Sequence, residues 1–174
     1  MDQETDRVVA IEATERDVAA FATFFQQAWQ EAGPDAPGFA GATEEVVREL
    51  TTREAILERI GGPDRRMFLA RQGGRVVGFS ATRRIDEATV ELAGVIVLQS
   101  IVGRGIGTPL VEQAVEVATD EGYARMVVRT ETTNDRALRF YQARGFTPTG
   151  SMTELVEGKP VEVWELVRDL WRTI

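Results

Sequence analysis

The alternation of hydrophobic and polar residues predicts short strands and amphipathic helices. Arg7–Ala13 alternates as a first strand does, and Thr14–Glu31 then carries apolar residues at helical spacing. Glycine and proline mark Gly33–Gly41 as a loop. A second helix is predicted over Thr43–Ile60, where Gly61-Gly62-Pro63 ends it. The first third of the chain is therefore predicted to be one strand followed by two helices.

The rest of the chain alternates between strand and helix periods, and Gln72-Gly73-Gly74 is a hairpin signal. The predicted elements are strands Met67–Arg71, Arg75–Arg84 and Thr89–Leu98, a helix from Ile106 to near Gly122, a strand Met126–Thr130, a helix Asn134–Arg144, and strands Phe146–Leu155 and Val161–Arg168. Early antiparallel strands and one βαβ crossover give an α/β fold with a mixed sheet. The length of 174 residues requires no second domain, so one domain over 1–174 is expected.

Composition and charge narrow the functional classes. Hydrophobic residues make up 43% of the chain and charged residues 28%, a globular balance without a long apolar stretch for a membrane. The N-terminus is acidic and does not resemble a secretion signal, so a cytoplasmic protein is expected. The net charge of −8 disfavours nucleic acid as a partner and suits a cationic amine.

The chain contains no cysteine and no histidine. Thiol nucleophiles, Ser-His pairs, and thiolate or imidazole metal sites are therefore excluded, and no metal is expected. Proton transfer must depend on carboxylates, tyrosine, arginine-assisted groups or water.

A glycine-rich segment lies between a predicted strand and a predicted helix, with glycines at 103, 105 and 107. Such a loop places backbone amides beside the positive end of a helix dipole, which favours an anion. Pro109 fits the first turn of a helix that begins near Gly107 or Thr108, which leaves the amides from 103 to 108 for a diphosphate. A plain strand-to-helix turn is the alternative. The segment has neither the Gly-Lys-Ser/Thr of nucleotide hydrolases nor the glycine spacing of dinucleotide folds.

A second motif, N-D-R-A-L-R-F-Y-Q-A-R-G-F, covers Asn134–Phe146. Asn134 suits a helix N-cap, and Gly145 suits a left-handed C-terminal stop. Together, the glycine loop and this helix resemble the GNAT superfamily of acetyl-CoA-dependent N-acetyltransferases. The match covers roughly Thr89–Phe146, and the predicted strand order extends it to the whole chain.

The resemblance implies an α/β (α+β) fold with a mixed, mostly antiparallel sheet of about six or seven strands and about four helices. It implies acetyl-CoA as cosubstrate and a small-molecule or peptide amine as acceptor, with a homodimer as a further expectation. The residues implied to bind the diphosphate, mainly through amides, are Gly103, Arg104, Gly105, Ile106, Gly107 and Thr108. Val95, Ile96 and Val97 would pair with pantetheine, Asn134 would contact its arm, and Tyr141 would protonate the leaving thiolate.

Two residues depart from the family pattern, because Val102 stands at a Gln/Arg position and Gln99 at a position where proline is common.

Glu91, on the strand before the loop, is the first candidate for the base, and Glu131 is the second. Glu91 as a solvated strand residue and Tyr141 as a core residue are the structural alternatives. A non-catalytic acyl-CoA-binding module and, less favoured, a nicotinamide-dependent oxidoreductase are the alternative functions.

Overall fold

The computed structural model describes residues 8–33, 39, 42–156 and 158–171. The strands are β1 Val9–Glu12, β2 Arg65–Gln72, β3 Arg75–Arg84, β4 Thr89–Val97, β5 Arg125–Glu131, β6 Thr147–Val156 and β7 Lys159–Asp169. The α-helices are α1 Val18–Ala32, α2 Glu44–Leu50, α3 Arg53–Leu57, α4 Gly107–Asp120 and α5 Asp135–Gln142. The predicted start of the first strand at Arg7 and most of the predicted loop Gly33–Gly41 lie outside the described residues.

The strands form one sheet in the order β1-β2-β3-β4-β5-β7-β6. β4 and β5 run parallel, with Thr89–Leu92 beside Arg125–Val128, because α4 connects them. The pairs β1–β2, β5–β7 and β6–β7 are antiparallel. The predicted fold class, a mixed and mostly antiparallel sheet with flanking helices, is thus confirmed.

The chain divides into two compact units, residues 1–82 with 94–114 and residues 83–93 with 115–174. We call these the first and the second unit; the single domain stays a prediction. The first unit has an aromatic core in which Phe79 stands edge-on to Phe21, with ring centroids 5.1 Å apart. Phe39, Phe68 and Phe79 are all buried core residues.

The second helix of the sequence prediction is in fact two helices, so the prediction of one helix over 43–60 is wrong. Thr52 is extended (φ −66°, ψ 152°), and its hydroxyl accepts a hydrogen bond from the Ala55 amide as the N-cap of α3. The Thr51 hydroxyl donates to the Val47 carbonyl at the end of α2. Threonine side chains therefore bind the backbone groups that a continuous helix would have paired.

α1 begins with a capping box. The Thr14 backbone amide donates to Asp17 Oδ2 at 2.8 Å, and Asp17 Oδ1 accepts from Arg71 of β2 at 2.6 Å. Burial opposes ionisation of Asp17, but the hydrogen bonds from Thr14 and the charge of Arg71 outweigh it and lower the pKa of this carboxyl. The regular α-helix follows a single 3₁₀ turn, Glu15–Asp17, within the predicted helix.

None of the helices in the described ranges has both the length and the apolar character that a membrane span requires. Within the same ranges, no group of acidic residues is arranged to hold a metal ion.

Candidate active site

The glycine-rich loop of the first unit connects β4 to α4. Gly103 (φ +88°) and Gly105 (φ +80°) are both in the left-handed region, which side chains disfavour. α4 begins at Gly107, so Pro109 lies in its first turn as predicted. The residues at 103, 104 and 105 are exposed to solvent, whereas Ile106 is buried.

The amides of this loop divide into those with an acceptor in the described structure and those without one. Those of Val102 and Arg104 make long hydrogen bonds of 3.4 Å, to the carbonyls of Gln99 and Ile101. The Arg104 amide thus differs from the predicted set of unpaired amides, and the residue itself is exposed. For four further amides no acceptor is found among the described residues: those of Gly103, Gly105, Ile106 and Gly107. Thr108 already takes part in an interaction within the structure, so it is not counted with these four.

β4 ends in three half-buried residues, Val95, Ile96 and Val97, that lead towards this loop. The next residue, Leu98, is buried, and its amide donates to the carbonyl of Val77 on β3 at 3.0 Å. Val102, at the family's Gln/Arg position, is extended (φ −57°, ψ 140°) and half-buried. The loop therefore leaves the sheet from an anchored residue.

The second predicted motif forms α5 in the second unit. Asn134 is its N-cap, and its side-chain oxygen accepts from the Ala137 amide at 3.1 Å. The helix ends where Gly145 (φ +84°) turns left-handed and the Phe146 amide donates to the Tyr141 carbonyl at 3.1 Å. The predicted cap and stop are confirmed. The cap uses the oxygen of Asn134 and leaves its amide group as a donor.

Tyr141 is the buried aromatic residue of α5, 7% exposed. Its ring stands edge-on to Phe140 and Phe146, with centroids 5.1 and 5.7 Å away. Burial raises the pKa of Tyr141 to about 12, although the positive charge of Arg144 acts in the opposite direction. The phenol therefore keeps its proton throughout the neutral range, in the form that can donate a hydrogen bond.

Glu91 lies near the start of β4 in the second unit and is 8% exposed. Its Oε2 accepts two hydrogen bonds from Arg83 of β3, from Nε at 3.1 Å and Nη2 at 2.5 Å. Its Oε1 is 3.9 Å from Nη1 of Arg129 on β5, which is an ion-pair distance but too long for a hydrogen bond. The alternative of a freely solvated strand residue is therefore wrong.

Arg129 connects Glu91 to two further glutamates. Nη1 donates to Glu154 of β6 at 2.8 Å, and Nη2 contacts Glu165 of β7 at 3.4 Å. Burial works against the charge of Arg129, but these carboxylates outweigh it and raise the pKa of the guanidinium above its ordinary value. Glu131, the second candidate base, is the half-buried last residue of β5.

Three further residues were missed from the sequence. Arg129 interrupts a buried apolar strand, and an arginine at such a position signals a charged partner. Gly78 and Ser80 lie inside the apolar strand β3. A glycine within a strand often marks a close approach of another part of the chain.

Comparisons with known proteins agree with these features. Residues 18–146 match the sequence pattern of the Acetyltransferase (GNAT) family. An uncharacterized N-acetyltransferase of Mycobacterium tuberculosis is 31% identical over 113 residues, which are 65% of this chain and 72% of that protein.

Two solved structures are similar in fold. The PaiA N-acetyltransferase of Thermoplasma acidophilum in complex with coenzyme A has a TM-score of 0.69 at 16% identity, over 94% of this chain and 99% of that one. YncA of Salmonella typhimurium, a putative acetyltransferase with acetyl-CoA, has a TM-score of 0.71 at 20% identity, over 97% of each chain.

Proposed function

The chain belongs to the acetyltransferase (GNAT) family and is an acetyl-CoA-dependent N-acetyltransferase, and we propose that it acetylates a primary amine by direct attack. The amine nitrogen attacks the thioester carbon and forms a tetrahedral oxyanion. When this intermediate collapses, the C–S bond breaks, the N-acetyl product and the coenzyme A thiolate separate, and the thiolate takes up a proton. The enzyme aligns the two substrates and manages two proton transfers.

The observation that supports the proposal most is the set of unused amides at the start of α4. Gly103, Gly105, Ile106 and Gly107 offer donors next to the positive end of a 14-residue helix. We assign these amides to the coenzyme's diphosphate, with the exposed guanidinium of Arg104 as a countercharge. The contact of Thr108 with the diphosphate remains a prediction.

Two further contacts are proposed for the pantetheine arm. Its amide groups run along the backbone of Val95–Val97 as an added strand would, and a backbone amide there polarises the thioester carbonyl. The side-chain amide of Asn134 donates to a carbonyl of the arm. The support for the second contact is that the helix cap uses only the side-chain oxygen.

Tyr141 is proposed as the proton donor to the leaving sulfur. Its raised pKa of about 12 keeps the phenol neutral. A thiolate has an ordinary pKa of about 8.5, so the phenol acts first as a hydrogen-bond donor while negative charge develops on sulfur. The proton lost from the phenol is replaced from the solvent side.

Glu91 is proposed as the base, acting through one water molecule. Oε2 is occupied by Arg83, whereas Oε1 makes no hydrogen bond to a described residue and keeps its lone pairs for water. A water molecule bound there takes the amine proton and passes it to the carboxylate. Glu131 is the second candidate for this role.

The proposal is tested by measuring the release of the coenzyme A thiol from acetyl-CoA in the presence of an amine. We expect acetyl-CoA to raise the melting temperature and a panel of primary amines to identify at least one acceptor. Tyr141→Phe is expected to lower kcat about 10- to 100-fold while the KM for acetyl-CoA stays within about twofold. Full kcat in Tyr141→Phe would remove Tyr141 from the mechanism.

The same experiments separate the alternative functions. Stabilisation by acetyl-CoA without turnover of any amine favours a non-catalytic acyl-CoA-binding module. Quenching of tryptophan fluorescence by reduced nicotinamide cofactor, without an effect of acetyl-CoA, favours an oxidoreductase. The kind of amine, the homodimer and the cytoplasmic location stay predictions.

A further inference from the structure

Gly78 lies in the buried interior of β3, and its small size has a specific cause. A Cβ atom added there would lie 3.0 Å from Leu110 Cδ1, 3.1 Å from the Ile96 carbonyl oxygen and 3.4 Å from Ile106 Cγ2. Gly78 is not among the glycines with positive φ. The backbone therefore does not require glycine at this position; the close approach of the start of α4 does.

Ser80 lies two residues further along β3 and so faces the same side of the sheet. It is fully buried, and its hydroxyl donates to the carbonyl of Leu110 at 3.1 Å. Gly78 thus receives the side chains of Ile106 and Leu110, while Ser80 holds the backbone of the first turn of α4. The side chains that make these contacts, those of Ser80, Ile106 and Leu110, are all buried.

Both ends of the glycine-rich loop are attached to this part of β3. Leu98, before the loop, donates its amide to the carbonyl of Val77, and Ile106, after the loop, packs on Gly78. Within the loop, the Ile101 amide donates to the Leu98 carbonyl at 3.0 Å, and Ser100 donates to the Glu31 carboxylate of α1 from its amide and its hydroxyl, both at 3.3 Å. From Val102 to Gly105 the described structure gives only the two long hydrogen bonds of the Val102 and Arg104 amides. The contacts with β3 therefore hold the two ends of the segment that carries the unused amides.

We infer that Gly78 and Ser80 are positioning residues for the coenzyme's diphosphate, since they fix the amides of Gly103–Gly107 in place. This inference rests on the proposed function. A methyl group at residue 78 would require the Leu110 and Ile106 side chains and the Ile96 carbonyl to give way by a few tenths of an ångström, which shifts the start of α4 relative to β3. Misplaced amides bind the diphosphate less well, because the binding energy depends on preorganised donors.

The test compares acetyl-CoA with S-acetylpantetheine, a thioester that lacks the diphosphate. For Gly78→Ala we expect the KM for acetyl-CoA to rise about tenfold or more, and kcat/KM for S-acetylpantetheine to fall much less, because the new methyl group also meets the Ile96 carbonyl beside the proposed pantetheine strand. Ser80→Ala is expected to show the same selectivity with a rise of about three- to fivefold. A general loss of structure would affect both thioesters equally.

The matched control is Gly150→Ala on β6, where an added Cβ meets nothing within 4 Å and φ is not positive. This variant should leave the kinetic constants for both thioesters unchanged. If Gly78→Ala or Ser80→Ala impairs both thioesters alike, or neither, the inference is wrong; if Gly78→Ala does not fold, Ser80→Ala alone decides. If the wild type uses no acetyl-CoA at all, the proposed function fails instead.

Discussion

Replacing Glu91 with glutamine keeps the size of the side chain and removes the charge that two guanidinium groups face. The side chain is only 10% exposed. A glutamine oxygen can still accept from Arg83, but its NH₂ group then points towards Arg129, donor against donor. The variant therefore changes both an ion-pair network and the proposed base.

The effect on stability is expected to be moderate. Losing charge-assisted hydrogen bonds in a buried place costs about 1.5–3 kcal/mol each. Arg83, however, has a side chain that is 51% exposed and regains water, and Arg129 keeps Glu154 and Glu165 as partners. We therefore expect a loss of about 1–2 kcal/mol in the free energy of unfolding. For a chain of this length, this lowers the melting temperature by about 2–8 °C.

The effect on activity is expected to be larger and to depend on pH. Removing a general base lowers kcat/KM by about 10²- to 10³-fold at pH 7. An alkylamine acceptor has an ordinary pKa of about 10.4 and loses its own proton as the pH approaches this value. The deficit of Glu91→Gln should therefore shrink steadily from pH 7 to pH 10. Initial rates with one fixed acceptor across this range measure it.

Glu154→Gln is the matched control, because Glu154 also pairs with Arg129, at 2.8 Å, and its side chain is 31% exposed. It should cost a similar or smaller amount of stability and retain activity within about threefold at every pH. If Glu91→Gln loses no more activity than this control, or loses the same factor at all pH values, Glu91 is an ion-pair partner only. Glu131→Gln is then the variant to test.

Two further predictions concern stability. Tyr141 has a folded pKa of about 12 against an ordinary value of 10.0, so it stabilises the fold fully below pH 10 and loses this contribution as the pH rises towards 12. Urea unfolding should show a loss of roughly 2–3 kcal/mol over this range that is absent in Tyr141→Phe. Asp17, whose pKa is lowered, stabilises the fold above its ordinary pKa of 3.8 and less as the pH falls through the lowered value. Asp17→Asn should therefore cost about 1 kcal/mol at pH 7, a difference that closes in acid and is measurable by thermal unfolding.

The features that sequence analysis predicted well are those determined by a few neighbouring residues. Pro109 fixed the start of α4 at Gly107, because proline is tolerated in the first turn and its missing amide bars it from the interior. Asn134 and Gly145 marked both ends of α5, because the cap oxygen and the left-handed stop are local requirements.

The break between α2 and α3 was missed because two local preferences compete there. The apolar spacing through Val47 and Ile56 continues as one helix would, and both residues are buried. Thr51 and Thr52 favour caps over helix interiors, but a threonine pair alone does not end a helix. Which preference prevails depends on how each segment packs, and periodicity does not contain that information.

The partners of Glu91 were missed because they depend on strand order. The network joins residues of β3, β4, β5, β7 and β6, which are neighbours in that order. β7 lies between β5 and β6, and Glu165 stands directly opposite Arg129 in the β5–β7 register. Neither the placement of β7 nor its register follows from local alternation, since a strand pattern only says which residues share a face.

In a chain without histidine or cysteine, the proton donor and the proton acceptor have to be found among carboxylates, tyrosine, arginine-assisted groups and water. Tyr141 lies among phenylalanine rings, and its raised pKa of about 12 keeps the phenol protonated between pH 7 and pH 10. Glu91 faces two guanidinium groups, and its Oε1 makes no hydrogen bond to a described residue. We therefore expect a rise in rate between pH 7 and pH 10 to follow the deprotonation of the acceptor amine, and its midpoint to report the pKa of that amine.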